Sequence, residues 1–169
     1  KGNILLILSA NEPIIVTTLL LFSALFVGNT VYIKPSTKTP TFAHYLIKEL
    51  SKNVLLRNKV HYLLVDRLGI ERLISERCFD FVLSFGSRTT NKELAMLCAK
   101  ADVEFLEEGE GNDWVYVDED CGNPKNVAKI LARSFTRHNG QMCNSIRGVL
   151  VHESVHAKFV KQLMNEVSA

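Results

Sequence analysis

The sequence predicts an α/β fold in which a parallel, doubly wound β-sheet carries helices on both faces. Short apolar runs of strand length alternate with segments whose apolar residues recur every three or four positions, the spacing of a helix that faces a core. The strand-length runs are apolar throughout, as in parallel sheets covered on both sides. Of the 169 residues, 47% are hydrophobic and 22% charged, which suits a globular protein and excludes a disordered one.

The first part of the chain holds most of the predicted elements. Strands are expected at residues 4–8, 30–33, 60–65, 79–85 and 103–106. Helices are expected at about residues 14–27, 43–50, 70–74 and 94–101. Pro13 suits the first turn of the first helix and Gly28 follows its last turn, while Pro35 and Pro40 separate the second strand from the second helix. The first helix is apolar but too short for a bilayer span, so we expect it to be buried.

The pattern changes after residue 106. Residues 107–112 are acidic and contain two glycines, and we interpret them as a hinge between two domains, residues 1–108 and residues 109–169. Beyond the hinge, strands are expected at residues 114–117 and 148–151, and helices at about residues 124–138 and 154–167. The second domain is therefore predicted to be α/β as well.

Charge and cysteine content exclude several classes of protein. The formal net charge of +2 gives no electrostatic reason to expect a nucleic acid or an anionic membrane as partner. The four cysteines include no CxxC pair, which excludes a zinc ribbon and favours free thiols in a reducing cytoplasm. The first residues resemble the start of a signal peptide, but the polar sequence Asn11-Glu12-Pro13 breaks the apolar run and favours a cytoplasmic protein.

One segment has the pattern of a zinc-protease motif. His152-Glu153-Ser154-Val155-His156 matches H-E-x-x-H, in which two histidines one helical turn apart bind the metal. That site needs a continuous helix, but His152 directly follows a predicted strand, and no histidine follows His156. We therefore expect no metal site, and Glu153 is expected to open the last helix, where its charge meets the positive end of the helix dipole.

Three other segments indicate chemistry only weakly when each is taken alone. Cys143 follows a turn containing Gly140, and backbone amides aimed at a thiolate are one way to make a cysteine reactive. Gly86-Ser87 follows a predicted strand, where backbone and a helix N-terminus can approach a phosphate. Lys34 ends another strand and can reach a ligand there. The ordinary dinucleotide fingerprint G-x-G-x-x-G is absent from the sequence.

Taken together, these segments resemble the NAD(P)-dependent aldehyde dehydrogenase superfamily. Residues 28–36 resemble its GNTVVLKPS segment, residues 9–13 its P-W-N-F-P turn, residues 86–87 its F-T-G-S turn, residues 140–143 its G-Q-x-C motif, and residues 151–154 its V-H-E-S sequence. Their order and approximate spacing agree with the family along nearly the whole chain. The resemblance implies a Rossmann-like cofactor-binding domain followed by the start of an α/β catalytic domain.

The resemblance also implies catalytic roles. Cys143 would attack the aldehyde carbon, and Asn11 would donate a hydrogen bond to the developing oxyanion, together with the Cys143 backbone N–H. A glutamate would then activate water to hydrolyse the thioester. The family's E-L-G-G sequence is irregular here, so that counting back from the second domain favours Glu107 and counting forward from Gly86 favours Glu108; we take Glu107 and keep Glu108 open.

The implied cofactor is NAD or NADP. Lys34, Ser36 and Thr37 would lie at the adenosine ribose, with Gly86 and Ser87 at the pyrophosphate. Many NAD-using members have a glutamate where this chain has threonine, and a carboxylate there would repel a 2′-phosphate. We therefore expect NADP to be tolerated and even preferred.

Two alternatives stay open at this stage. An acyl-CoA or acyl-phosphate reductase of the same superfamily would pass the acyl group to an acceptor other than water and would need no glutamate base. A chain that binds a nucleotide without catalysis is the other alternative, since later family motifs are not in the sequence. On the leading interpretation, the partner is a small-molecule aldehyde or acyl substrate, and the full-length protein is expected to be a homo-oligomer.

Overall fold

A computed structural model describes residues 1–168, which form two compact units. The first unit is Lys1–Glu110, and the second comprises the residues from Gly111 onward. The elements of the first unit are β1 (Asn3–Ile7), α1 (Ile15–Phe26), β2 (Thr30–Lys34), α2 (Thr41–Leu50), β3 (Val60–Tyr62), α3 (Arg67–Ser75), β4 (Phe81–Phe85), α4 (Arg88–Ala101) and β5 (Glu104–Glu108). Those of the second unit are β6 (Asp113–Val117), α5 (Pro124–Thr136), a 3₁₀ turn (Arg137–Gly140), β7 (Ile146–Val151) and α6 (Glu153–Val167).

In the first unit, β1 to β5 form a parallel sheet with the strand order β3-β2-β1-β4-β5. The α/β, doubly wound fold predicted from the sequence is thereby confirmed. The chain runs outward from β1 to β3, then crosses back and continues on the other side of β1. Open sheets of this kind bind ligands at the carboxyl ends of the strands where the order reverses, which here lies between β1 and β4.

The two faces of this sheet bury separate cores because successive strand residues point in opposite directions. One face packs Leu6, Val31 and Leu83 under α1 and α2. The opposite face packs Leu5 and Val82 under α3 and α4. The apolar strands thus have a covered layer on each side, as their composition predicted.

The structure corrects the prediction that the first helix is buried. In α1, Thr17 and Leu21 are buried, whereas Ile15 and Leu19 are exposed and Phe26 is 89% exposed. The prediction failed because α1 is apolar on all sides, and only the side that meets the sheet can be covered by it. Within residues 1–168, no helix is both long and apolar enough to span a bilayer.

Two element boundaries also differ in ways that affect the site. The predicted hinge begins too early, because Glu107 and Glu108 belong to β5 and pair with Ser84 and Phe85 of β4. Helix α4 begins six residues before its predicted start, because Ser87 caps it. Both errors arise from polar residues in regular structure, which apolar periodicity does not detect.

The second unit is built around β6 and β7, which run parallel to each other. Helix α5 connects them, and its core residues Ala128 and Leu131 pack with Val117 of β6 and Phe159 of α6. This βαβ arrangement agrees with the predicted α/β character of this part of the chain.

Candidate active site

Several of the residues singled out in the sequence lie along the carboxyl edge of the first unit's sheet. The register aligns Lys34 with Ile7, Ile7 with Ser84, and Ser84 with Glu107. Neighbouring strands lie about 4.8 Å apart, so that the backbones of Lys34 and Glu107 are about 14 Å apart in this row. The loops that leave β1, β2 and β4 therefore open on one edge, as expected for a parallel sheet.

Asn11 lies in the loop between β1 and α1. The hydroxyl of Ser9 donates a hydrogen bond of 2.6 Å to Oδ1 of Asn11. This bond occupies the acceptor side of the amide and orients the group. The donor atom of the amide, Nδ2, is the one that the predicted oxyanion role requires.

Lys34, Ser36 and Thr37 lie at the end of β2 and in the turn that follows it. Lys34 is the last residue of the strand and is half-buried. The carbonyl oxygen of Ser36 accepts from the backbone N–H of Thr39 at 3.2 Å, and its hydroxyl accepts from the N–H of Lys38 at 3.3 Å. Thr37 and Lys38 are exposed at the tip of this turn, so it presents a hydroxyl group and a cation.

Gly86 and Ser87 form the turn between β4 and α4. The hydroxyl of Ser87 accepts from the backbone N–H of Thr90 at 3.3 Å and caps the helix. A Cβ atom on Gly86 would lie 2.7 Å from Oδ1 of Asn91, so that any other residue would displace the hydrogen-bonded Asn91 side chain. The turn thus brings a close-packed backbone to the N-terminus of a 14-residue helix, an arrangement that favours an anion.

Asn91 is a structural residue of this turn that the sequence analysis did not assign. It is buried, and its Oδ1 accepts from the hydroxyl of Ser84 at 2.8 Å. Its Nδ2 donates to the carbonyl oxygens of Gly86 and Glu108, both at 3.2 Å. One side chain thus ties the ends of β4 and β5 to α4. A signal was present in the sequence, because Asn91 stands at helical spacing from the buried Leu94 and Cys98.

The two candidate bases lie on opposite faces of the sheet, because they are neighbours in β5. Glu107 lines a shallow cavity of about 580 Å³ together with Arg88 and Lys92 of α4. Glu108 follows at the end of the strand, and its carbonyl oxygen also accepts from the N–H of Gly86 at 3.2 Å. Only one of the two carboxylates can therefore face a given ligand at this edge.

Cys143 lies in the second unit, between the 3₁₀ turn and β7. The backbone before it is unusual, since His138, Asn139 and Gly140 all have positive φ angles, of 49°, 56° and 68°. Such conformations cost free energy in residues other than glycine and are concentrated at functional sites. The unusual backbone path predicted from Gly140 is present and begins two residues earlier.

Gly111 is a further residue that sequence analysis placed only in the hinge. A Cβ atom on Gly111 would overlap the carbonyl oxygen of Cys143, so that any other residue would displace the backbone there. The close approach of the two backbones supports the segment that carries the thiol. Spacing in the sequence gives no hint of this contact.

The cysteines differ in exposure. All four are free thiols; Cys98 is buried, Cys78 and Cys121 are half-buried, and Cys143 is exposed. Burial raises the pKa of the Cys98 thiol to about 11, which keeps it protonated and unreactive at neutral pH. The cysteine in the G-Q-x-C segment is therefore also the one most open to a reagent or substrate.

The H-E-x-x-H segment is the start of a helix. His152 caps α6, with its Nδ1 2.8 Å from the hydroxyl of Ser154 and accepting from the Ser154 backbone N–H at 3.3 Å. Glu153 lies in the first turn, as the sequence predicted. Residues 1–168 contain no group of three or more His, Cys, Asp or Glu side chains placed to hold a metal ion.

Comparison with known proteins places these features in a family. The sequence model of the Aldehyde dehydrogenase family matches residues 1–169. The chain belongs to the aldehyde dehydrogenase family. The family resemblance seen in the motifs is thereby confirmed.

Several named proteins and solved structures are similar to this chain of the aldehyde dehydrogenase family. It is 32% identical over 164 residues to 4,4'-diaponeurosporen-aldehyde dehydrogenase of Staphylococcus aureus, covering 96% of this chain and 35% of that protein. An indole-3-acetaldehyde dehydrogenase in complex with NAD+ superposes with a TM-score of 0.93 at 21% identity, covering 99% of this chain and 34% of that one. A 3,6-anhydro-L-galactose dehydrogenase in complex with NADP superposes with a TM-score of 0.92 at 22% identity, covering 99% and 35%. The chain thus spans about a third of the length of these relatives.

Proposed function

We propose that the protein oxidises an aldehyde to a carboxylic acid with NAD(P)+, using Cys143 as the nucleophile. The observation that carries this proposal is the exposed thiol of Cys143, in the G-Q-x-C segment of a chain that belongs to the aldehyde dehydrogenase family. Two further features support this role, because both fix the backbone that carries the thiol. The residues before Cys143 have left-handed backbone conformations, and Gly111 packs closely against the Cys143 carbonyl.

The first half of the proposed reaction forms and oxidises a covalent adduct. The sulfur of Cys143 attacks the carbonyl carbon, and the oxygen takes up negative charge as a thiohemiacetal forms. Nδ2 of Asn11 and the backbone N–H of Cys143 donate hydrogen bonds to that oxygen; such a donor contributes about 3 kcal/mol in related reactions. A bound nicotinamide cofactor would accept the hydride that leaves the carbon, so that the carbonyl re-forms as a thioester on Cys143.

The second half releases the acid. A glutamate removes a proton from water, the resulting hydroxide attacks the thioester, and the Cys143 thiolate leaves. Glu107 and Glu108 are the candidates for this base. The two glutamates lie on opposite faces of the sheet, so that we expect only one of them to act as the base. Replacing each in turn decides which one it is.

The residues of the first unit fit a dinucleotide. The Ser87-capped N-terminus of α4 suits a pyrophosphate, and Lys34 at the end of β2 suits the hydroxyl groups of a ribose. The exposed turn after β2 carries Thr37 and Lys38 where a carboxylate would repel a 2′-phosphate. We propose accordingly that NADP is accepted and preferred.

A replacement of Cys143 tests the proposed function. Cys143→Ser in the protein of natural length is expected to abolish aldehyde-dependent NAD(P)H formation, because serine at this position lacks a comparably nucleophilic anion. Trapping of a Cys143-bound acyl group by acid quench and mass spectrometry is the direct measurement. Cys121→Ser, in the same unit, is the matched control and should leave activity intact. Full turnover by Cys143→Ser would contradict the proposal.

One observation favours a second candidate, an acyl-CoA or acyl-phosphate reductase. Glu107, the glutamate first assigned to water activation, lines a cavity with Arg88 and Lys92 of α4. Coenzyme A or phosphate could accept the acyl group without a base at that position. Product analysis with and without each acceptor separates the two candidates. A hydrolytic enzyme forms the free acid whether or not the acceptor is present, whereas the second candidate transfers the acyl group to coenzyme A or phosphate.

A further inference from the structure

We propose that Ser9 is a positioning residue for the reaction, because its hydroxyl holds the amide of Asn11 in the orientation that donates a hydrogen bond to the oxyanion. The inference rests on the proposed function, in which Nδ2 of Asn11 is such a donor, and it deepens that function by assigning the residue that sets the orientation of the amide. Ser9 acts on the chemistry through Asn11.

This chain has a hydroxyl group at a position where the family motif has none. Residues 9–13 resemble the P-W-N-F-P turn, so that Ser9 stands at the first proline of the motif and Asn11 at its asparagine. Proline restricts the backbone of a turn through its ring but offers no hydrogen-bond donor. Serine lacks the ring and supplies a donor instead. The turn in this chain therefore fixes its asparagine through a side-chain contact.

The backbone on either side of the hydrogen-bonded pair is fixed as well. Leu8 is 5% exposed, and its N–H donates to the carbonyl oxygen of Lys34, the last residue of β2, at 3.0 Å. Beyond the pair, the carbonyl oxygen of Glu12 accepts from the N–H of Val16, in the first turn of α1, at 3.3 Å. The freedom that remains to Asn11 is therefore mainly that of its side chain.

The amide of Asn11 has two orientations that occupy nearly the same space, because its oxygen and nitrogen atoms are similar in size. In one of them Nδ2 faces the oxyanion and stabilises it. In the other Oδ1 faces it, and the partial negative charge of that oxygen repels the oxyanion. The rate of the reaction therefore depends on which orientation the amide adopts.

The hydroxyl of Ser9 selects between the two orientations. It lies 2.6 Å from Oδ1 of Asn11 and donates to it. This distance is normal for a hydroxyl donor, but it is shorter than the range of about 2.7–3.2 Å in which an amide N–H donates to oxygen. The close contact thus favours the oxygen of the amide on the Ser9 side and leaves Nδ2 on the opposite side. Both side chains are half-buried, so that water competes less for this bond.

A hydroxyl in a turn can also stabilise the fold without affecting the chemistry, and Ser51 provides the comparison. Ser51 is half-buried, and its hydroxyl donates at 2.7 Å to the carbonyl oxygen of Ile47 at the end of α2. Ser51→Ala removes a bond of similar length from a residue with no role in the proposed reaction. It is therefore the matched control for Ser9→Ala.

Two reactions of Cys143, in the protein of natural length, separate the oxyanion from the reactivity of the thiol. 4-Nitrophenyl acetate acylates a thiol through a tetrahedral oxyanion, whereas iodoacetamide alkylates it by direct displacement without one. Release of 4-nitrophenolate, corrected with Cys143→Ser, and peptide mass spectrometry give the two rates. The ratio of acylation to alkylation is expected to fall about tenfold in Ser9→Ala, which is the most that one such hydrogen bond contributes. Ser9→Thr, which keeps the hydroxyl, and Ser51→Ala should retain the wild-type ratio.

A second replacement tests whether Ser9 acts through Asn11. Asn11→Ala is expected to lower the ratio about 100-fold, and adding Ser9→Ala should cause no further loss, since the amide that it positions is gone. With an aldehyde as substrate, Ser9→Ala should lower kcat about tenfold and leave KM unchanged, because the oxyanion develops in the transition state.

The outcomes for Ser9 and for the proposed function are distinguishable. A wild-type ratio in Ser9→Ala, an equal loss in Ser51→Ala or in Ser9→Thr, or an additive loss in the double variant overturns the role of Ser9 and leaves the proposed function intact. An unchanged ratio in Asn11→Ala overturns it too, since Ser9 would then have no oxyanion donor to position. If no aldehyde is oxidised, the proposed function fails, while the ratio still decides the role of Ser9 because neither reagent needs a cofactor.

Discussion

Glu107 and Glu108 are adjacent in sequence and carry the same side chain, but the strand places their carboxylates on opposite faces of the sheet. Alternation in β5 sends Glu107 to the face covered by α3 and α4, where it lines a cavity with Arg88 and Lys92. Glu108 belongs to the face covered by α1, the helix that follows the Asn11 loop. The sequence alone left the choice between them open, because counting from either side gave a different answer.

Replacing each glutamate by glutamine is expected to separate their roles. The variant that removes the base should keep a rapid first turnover and then slow by about 100-fold or more, because the acyl group remains on Cys143. The other variant serves as the isosteric control and should turn over normally. Burst and steady-state rates of NAD(P)H formation provide the measurement. If both variants keep wild-type steady-state rates, hydrolysis does not depend on either carboxylate.

The buried thiol of Cys98 gives a prediction of pH dependence. Its pKa is raised to about 11 because burial disfavours the thiolate, so that its ionised fraction at neutral pH is about 100-fold smaller than for a thiol with the ordinary value of 9.0. Iodoacetamide at pH 7 is therefore expected to modify Cys143 well before Cys98, and the Cys98 rate should rise as the pH approaches 11. Since ionisation is favoured in the unfolded chain, stability should fall as the pH rises through this range. Equal labelling of the two cysteines at pH 7 would show that Cys98 is not buried in solution.

At the scale of elements, α4 is joined to the sheet by a polar side chain. Leu94 and Cys98 pack on the sheet in the ordinary apolar way, and Asn91 continues the same side of the helix with hydrogen bonds. Apolar periodicity located the later turns of α4 but missed its first turns, which begin with polar residues. The helix start is fixed by the Ser87 cap, a local contact with Thr90, and by the Asn91 contacts, of which the one to Glu108 depends on the folded chain.

Asn91→Ala is expected to lower the free energy of unfolding by about 2 kcal/mol, because it removes the partner of the buried Ser84 hydroxyl and of the Gly86 carbonyl. It also removes one of the two hydrogen bonds that the Glu108 carbonyl accepts. Urea denaturation followed by circular dichroism is the measurement. Lys92→Ala changes the next, exposed residue and should stay within about 0.5 kcal/mol of the wild type. Equal stability of the two variants would mean that water or other groups replace these hydrogen bonds at no cost.

At the scale of the whole molecule, the proposed cofactor site depends on the topology of the sheet. The turn that follows β2 and the start of α4 are separated by about 50 residues in sequence. The strand order nevertheless brings the ends of β2 and β4 to either side of β1. The sequence predicted a parallel sheet because its strands are apolar throughout. The pairing order itself is long-range and is decided by which strands pack best around β1.

Cofactor preference tests this arrangement. Thr37→Glu is expected to lower kcat/KM for NADP about tenfold relative to NAD, since a carboxylate on the β2 turn would repel a 2′-phosphate. Thr37→Gln, which has the same size without the charge, is the matched control. Comparison of kcat/KM for both cofactors in the three proteins is the measurement, and a strong NAD preference in the wild type would contradict the proposal.

The sequence by itself determined the α/β class, the family and the approximate position of nearly every helix and strand. These depend on local patterns: apolar periodicity, glycine and proline at turns, and short motifs such as Gly140 to Cys143. Only the tertiary structure decided that Phe26 is exposed, that Glu107 and Glu108 pair with β4 as part of β5, and that Arg133 and Arg137 share a cavity. The physical reason is that burial, strand pairing and cavity walls are set by neighbours distant in sequence, on which a local pattern carries no information.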